Sequence, residues 1–206
     1  MEISLIQNIV YIFSSILFIT GIKMLGKEDT AVKGNFLSAI AMLVAVLVTF
    51  INISNPLILL AGIGLGAFIG SLIALKVKMT SIPEMVALFN GFGGLATFLI
   101  AWSEFNSTPD NLFQYILVMT TVYVGGITFT GSLVAYAKLS EKIQIAKTSI
   151  ITKLFTTIFY ISLAFLLYSA IVTPLLVINF EFFTVLLVLT LLGGIGFVLP
   201  IGGGDM

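Results

Sequence analysis

Seven apolar stretches, each close to the roughly 20 residues that an α-helix needs to cross a hydrocarbon core, dictate what this chain can become. They run from about Ile3 to Met24, Phe36 to Ile53, Leu57 to Leu75, Ile82 to Trp102, Leu112 to Ala137, Lys153 to Val172 and Phe182 to Ile201. Lipid offers a backbone N–H or C=O no partner, so segments of this kind are stable there only as helices. The expected fold is all-α: a polytopic transmembrane helix bundle of about seven spans, residues 1–206 forming a single transmembrane domain. Connections are short, and Asn52-Ile-Ser-Asn-Pro56 reads as a tight hairpin turn. The first stretch lacks a basic flank before it and an evident cleavage site, which marks a retained span rather than a signal peptide.

Composition agrees and removes several chemistries. The chain is 59% hydrophobic and 9% charged, against about 25% charged residues in soluble domains. It has no cysteine and no histidine, so it lacks thiolate ligands, the commonest metal ligand and the usual neutral-pH proton carrier. No metal site and no nucleic-acid partner are expected. All nine basic residues are lysines. They gather at alternate ends of the spans: Lys23, Lys27 and Lys33, then Lys76 and Lys78, then Lys138, Lys142, Lys147 and Lys153. The opposite ends carry Glu2, Glu104, Asp110 and Glu181. The positive-inside rule then puts the N-terminus outside and the C-terminus inside.

The fourth span holds the most unusual polar group. Ser81 and Glu84 have capping-box spacing, and Pro83 falls in the first turn, where its missing N–H breaks nothing. Asn90 lies roughly 10 Å further into the membrane at 1.5 Å per residue, where an amide needs a protein or water partner. Glu84, Ala87, Gly91 and Gly94 share one helical face, and Asn90, Gly94 and Thr97 share an adjoining stripe. Two readings follow: a packing face with one interhelical hydrogen bond, or a wet path lined by Glu84, Asn90 and Thr97.

On the fifth span Thr121, Gly125, Thr128 and Ser132 form a stripe of small and hydroxylated residues. Such hydroxyls can bond carbonyls of their own helix, or the stripe can face Asn90. Tyr136 and Lys138 close this span as snorkelling anchors do. In the third span Gly62-Ile-Gly-Leu-Gly-Ala67 matches a dinucleotide fingerprint, but that motif needs a strand–turn–helix. Gly62, Gly66 and Gly70 read instead as a small-residue packing ridge. The sixth span is nearly featureless and reads as lipid-facing. The seventh carries Gly193, Gly194 and Gly196, then Pro200, and Gly202-Gly-Gly-Asp205-Met206 cannot continue it as a helix.

Three segments, Met79-Thr-Ser-Ile-Pro-Glu-Met-Val-Ala-Leu-Phe-Asn90, Gly126-Ile-Thr-Phe-Thr-Gly-Ser-Leu-Val-Ala135 with Lys138-Leu139, and Ile201-Gly-Gly-Gly-Asp-Met206, resemble the β subunit of proton-translocating NAD(P) transhydrogenase in order and spacing. The resemblance covers essentially the whole chain but only the membrane part of that subunit, so the chain is expected to be a fragment or one piece of a split subunit. It implies a membrane component that passes protons and couples them to hydride transfer between NAD(H) and NADP(H) in partner domains. No cofactor would be bound by this chain itself. The implied partners are the α subunit with its NAD-binding domain and membrane helices, and the NADP(H)-binding domain. The implied assembly is a dimeric complex in the bacterial cytoplasmic membrane.

Carried over residue by residue, Asn90 stands where some relatives have a proton-path histidine. Gly125, Gly131 and Ser132 fall on the helix implicated in proton passage and coupling. Asp205 matches an acidic residue near the docking site of the NADP(H) domain. The proton path is then expected to include Asn90, Glu84, Thr97, Thr128 and Ser132, with Gly91, Gly94, Gly125, Gly131 and Asp205 serving helix packing and coupling. Since an amide does not titrate near neutral pH, the titrating group would be Glu84, Asp205 or, better, a histidine on a partner helix facing Asn90. A solute transporter or channel, or a structural anchor in which Asn90 is packing glue, are the rival readings.

Overall fold

A computed structural model describes residues 2–53, 55–106, 112–143, 149–172 and 180–201. Seven α-helices occur among them: α1 (Glu2–Leu25), α2 (Ala31–Thr49), α3 (Pro56–Lys76), α4 (Ile82–Asn106), α5 (Leu112–Leu139), α6 (Ile150–Val172) and α7 (Phe180–Val198). Each contains a stretch long and apolar enough to cross a membrane. The described residues contain no strand, and the all-α expectation holds. The helices fall into two compact units, Met1–Leu75 and Lys76–Met206.

In the first unit α1 and α2 form an antiparallel pair, because Gln7 meets Val48 at one end and Gly21 meets Gly34 near the turn. Gln7 Nε2 donates to the Val48 carbonyl at 3.2 Å, and the Tyr11 and Thr49 hydroxyls lie 3.0 Å apart. A Cβ on Gly34 would stand 2.6 Å from the Gly21 carbonyl oxygen, so the helices touch backbone to backbone. Thr30 closes the turn, its hydroxyl donating to the Met24 carbonyl at 2.7 Å. Proline at the first position of α3 is well placed, since its missing N–H would be orphaned there anyway. Within its own unit the ridge expected on α3 meets no described residue: a Cβ on Gly62, Gly64, Gly66 or Gly70 would have nothing within 4 Å. No residue of α3 is buried. Residue 54 of the expected hairpin turn lies outside the described residues.

The second unit is organised around α5. Antiparallel α4 packs on one side of it and parallel α7 on another, and α6 packs antiparallel on α7. Lipid tails are as apolar as the side chains, so helices associate there through close packing and interhelical hydrogen bonds. Glycine supplies the closeness. A Cβ on Gly94 would lie 2.6 Å from Phe129 N, and one on Gly125 would lie 2.6 Å from Phe98 N. Gly194 sits against Thr130 and Ile127, and Gly126 against Thr190. Towards the end that carries Glu104, larger groups take over: Phe98, Phe105, Tyr115, Met119, Val122, Phe183 and Leu186 form a buried cluster. Within it the Phe105 and Phe183 rings stack 3.8 Å apart, and Gln114 Nε2 donates to Glu104 Oε1 at 2.8 Å beside it.

Three local expectations are corrected. The capping box is not formed, because α4 is entered through a 3-10 turn, Met79–Ser81. The Ser81 N–H that Glu84 would have accepted is donated to the Lys78 carbonyl at 2.9 Å. Helix α6 is not wholly lipid-facing, since Thr152 and Ser162 are buried and its backbone at Phe155 and Phe159 sits against Gly196 and Gly193 of α7. Finally, α7 stops at Val198 rather than Ile201, because Pro200 has no N–H to offer the Gly196 carbonyl and disfavours helical backbone before it. The orphaned Gly196 carbonyl accepts instead from Thr156 Oγ1 of α6 at 3.3 Å.

Candidate functional site

Where α4 crosses α5, Asn90 Nδ2 donates to Ser132 Oγ at 2.8 Å. The local sequence explains the meeting. Gly91 and Gly94 remove the side chains that would hold the helices apart: a Cβ on Gly91 would already be 3.2 Å from Ser132 Cβ. A Cβ on Gly94 would be 2.9 Å from Thr128 Cβ. The stripe Gly125, Thr128, Ser132 is therefore the face that receives α4, and the amide reaches across it.

Ser132 is 7% exposed, whereas Asn90 is exposed on the far side of its hydrogen bond. The pair closes one wall of a cleft of about 220 Å³ between α4, α5 and α7. Asn90, Ile127, Thr128, Gly131, Ser132, Ala135, Phe197 and Val198 line it. Its walls are apolar except for one amide and two hydroxyls. An amide bonded through one N–H keeps its carbonyl and second N–H available, so the cleft can hold and orient water or a polar side chain. Neither Asn90, Ser132 nor Thr128 titrates near neutral pH.

The expected path residues divide accordingly. Asn90, Thr128 and Ser132 come together in the cleft with Gly131. Thr97 does not line it; its hydroxyl returns to its own helix, donating to the Gly93 carbonyl at 3.0 Å. Thr121 and Thr130 likewise bond the Leu117 and Gly126 carbonyls at 2.6 and 3.1 Å. Glu84 sits half-buried in the first turn of α4, about 9 Å along the axis from Asn90 at 1.5 Å per residue. Gly91, Gly94 and Gly125 lie in the α4–α5 crossing, whereas Gly131 faces α7, a Cβ there meeting Val198 Cγ2 at 3.0 Å. Asp205 and the Gly202–Met206 turn lie outside the described residues.

One residue read as a snorkelling anchor behaves otherwise. Lys138, in the last turn of α5, is 9% exposed. Its Nζ turns inward and donates to the carbonyls of Val198, Leu199 and Ile201 at 3.2, 2.5 and 2.6 Å. These carbonyls lie at and just past the end of α7, at the negative end of its dipole, and the Val198 carbonyl also accepts the Ile201 N–H at 3.1 Å. Burying an ammonium is costly unless such acceptors surround it. Pro200 is the sequence signal that α7 ends here; the parallel neighbourhood of α5 and α7, which brings Lys138 to that end, has none.

The family model of the NAD(P) transhydrogenase beta subunit matches residues 7–206, nearly the whole chain. The chain belongs to the NAD(P) transhydrogenase beta subunit family. Two Rhodospirillum rubrum sequences, both named NAD(P) transhydrogenase subunit beta, are each 30% identical to it over 140 residues, 63% of this chain. The match spans 30% of the length of those relatives. The resemblance drawn from the three motifs is thus upheld. A transhydrogenase beta-family chain with seven span-length helices among its described residues is a multi-pass membrane protein. The Asn90–Ser132 crossing and the Lys138 cap both fall within the matched residues.

Proposed function

We propose that this chain is the proton-conducting membrane component of an NAD(P) transhydrogenase. In this reading protons pass by way of the α4–α5–α7 cleft, while hydride moves between NAD(H) and NADP(H) in partner domains. The observation that carries it is the Asn90–Ser132 pair: a polar junction at span depth, open to a cleft, in a family named for the reaction.

The chain's own groups bind and orient rather than titrate. Asn90 and Ser132 hold a water in line, and Thr128 offers a third polar contact. The proton is taken up and released by a titratable side chain, such as a histidine, on a partner helix seated in the cleft, because Glu84 does not line it and the chain has no histidine. The lysine-rich ends face the cytoplasm by the positive-inside rule, in the bacterial cytoplasmic membrane. Nucleotides bind to the α subunit and the NADP(H)-binding domain, in a dimeric complex. Two nucleotide states bias an inward-open and an outward-open cleft, as coupling requires.

The test is the complex in sealed vesicles. NADH should reduce NADP⁺ faster when a proton gradient is imposed, an uncoupler should abolish that stimulation, and Asn90→Leu should remove most of it. Stimulation that persists in full with Asn90→Leu would favour the anchor reading, and solute flux through this chain alone would favour a transporter.

A further inference from the structure

Threonine hydroxyls inside the spans mostly turn back on their own helix. Those of Thr97, Thr121 and Thr130 donate to the carbonyls four residues before them, and Thr20, Thr49 and Thr157 do the same. Thr128 departs from the pattern. Its hydroxyl makes no hydrogen bond among the described residues, although the residue is half-buried and lines the α4–α5–α7 cleft. Gly94 supplies the reason. A Cβ there would lie 2.9 Å from both Cβ and Cγ2 of Thr128, so the methyl side of Thr128 is the side pressed on the α4 backbone. Turned to the cleft, Thr128 stands one turn before Ser132, with about 5–6 Å between the Cβ atoms. One water, bonded at about 2.8 Å to each hydroxyl, spans that gap. Ser132 suits the second end, because its Oγ accepts from Asn90 and keeps its own O–H to donate.

We infer that Gly94 is a positioning residue: by taking the Thr128 methyl against α4 it holds the Thr128 hydroxyl in the cleft, as one anchor of a water bridged to Ser132. The methyl then matters as much as the hydroxyl. Threonine in a helix has two accessible side-chain orientations because its hydroxyl can bond a carbonyl of the preceding turn, and the contact with Gly94 selects the one that faces the cleft. A hydroxyl freed of that contact would return to the Val124 carbonyl, as the other threonines do with theirs, and the water would keep one anchor on α5 instead of two. This inference rests on the proton-coupling reading above.

The test uses the assembled complex in sealed vesicles with Thr128→Val, which keeps the shape but not the hydroxyl, and Thr128→Ser, which keeps the hydroxyl but not the methyl. Gradient stimulation of NADP⁺ reduction should fall about fivefold in Thr128→Val, the weight of one hydrogen bond, and by a similar factor in Thr128→Ser. A simple need for a hydroxyl would instead let serine restore it. Stimulation in Thr128→Ser within about twofold of the parent overturns the positioning role of Gly94, and the same result in Thr128→Val overturns the water anchor altogether. A second readout does not depend on turnover. Ala135 lines the same cleft, and Ala135→Cys provides the single thiol of this chain. Thiols react as thiolates, which form where water reaches them. Modification of this chain by a small water-soluble methanethiosulfonate should therefore slow by more than about twofold when either Thr128 variant is added; an unchanged rate overturns the bound water. Should Thr128→Val fail to assemble, Thr128→Ala, which removes both groups, makes the same comparison with the same outcomes. A parent complex that shows no gradient stimulation overturns the proton-coupling reading itself, and this inference with it.

Discussion

A Cβ placed on Gly125 of α5 would stand 3.0 Å from the carbonyl oxygen of Gly94 on α4. The two glycines set the closeness of the crossing that carries the Asn90–Ser132 bond. Adding a methyl at Gly94 would put it 2.6 Å from Phe129 N, a backbone atom that cannot rotate away. Gly94→Ala and Gly125→Ala should each destabilise the α4–α5 pair by about 1–3 kcal/mol, the usual range for overpacking. Thermal unfolding of the purified protein in detergent measures the loss. A stability equal to the parent would mean that the helices are not in backbone contact.

Asn90→Leu and Ser132→Ala separate stability from function. An interhelical hydrogen bond in a membrane contributes about 0.6 kcal/mol on average and about 1.7 at most. Either variant should therefore assemble normally in the membrane. The double variant should destabilise by less than the sum of the two, since both remove one bond. Gradient-driven turnover of the complex should nonetheless fall well below the parent's in each. Two strictly additive stability losses would argue that the 2.8 Å contact contributes nothing.

Thr156 and Pro200 offer a compensating pair. Thr156 Oγ1 serves the Gly196 carbonyl because Pro200 cannot. Thr156→Val should cost about 1 kcal/mol, the net worth of a hydrogen bond, whereas in a Pro200→Ala background the restored N–H should reduce that cost. Unfolding midpoints of the four proteins give the coupling. A cost unchanged by Pro200→Ala would show that the carbonyl is satisfied in another way.

Helix α3 supplies the opposite expectation. With no described atom of its own unit within 4 Å of a Cβ on Gly62, Gly66 or Gly70, alanine at any of them should be tolerated by the isolated chain. Alanine should even strengthen the helix slightly, glycine being worse by roughly 0.5–1 kcal/mol in a helix interior. Circular dichroism of the isolated chain during thermal unfolding checks this. A lowered midpoint would place a packed neighbour over the ridge within this chain.

Sequence reached far where the governing physics is local. Span length and hydropathy gave every helix, because lipid leaves the backbone one solution. The Asn90–Ser132 partnership was foreshadowed by two stripes of small residues on consecutive, necessarily antiparallel helices. Lys138 was misjudged for the converse reason. Which nonconsecutive helices touch depends on packing across the unit, so nothing near residue 138 shows that α7 ends beside it. The Ser81–Glu84 box failed differently: a motif states what a segment is able to do, while a competing 3-10 hydrogen bond decided what it does. Thr97 shares that lesson, its hydroxyl having a closer acceptor at Gly93 than any across the helix pair.

Because α5 meets α4 along Gly125, Thr128 and Ser132 and meets α7 along Gly126 and Gly131, its two seams share one backbone only a helix-width across. A change of side-chain volume on either seam is passed to the other as a shift of that backbone. Across relatives, then, substitutions at this crossing should co-vary in threes, one on each helix. A compensatory change for a defect on α4 is best sought on α7, two helices away in space.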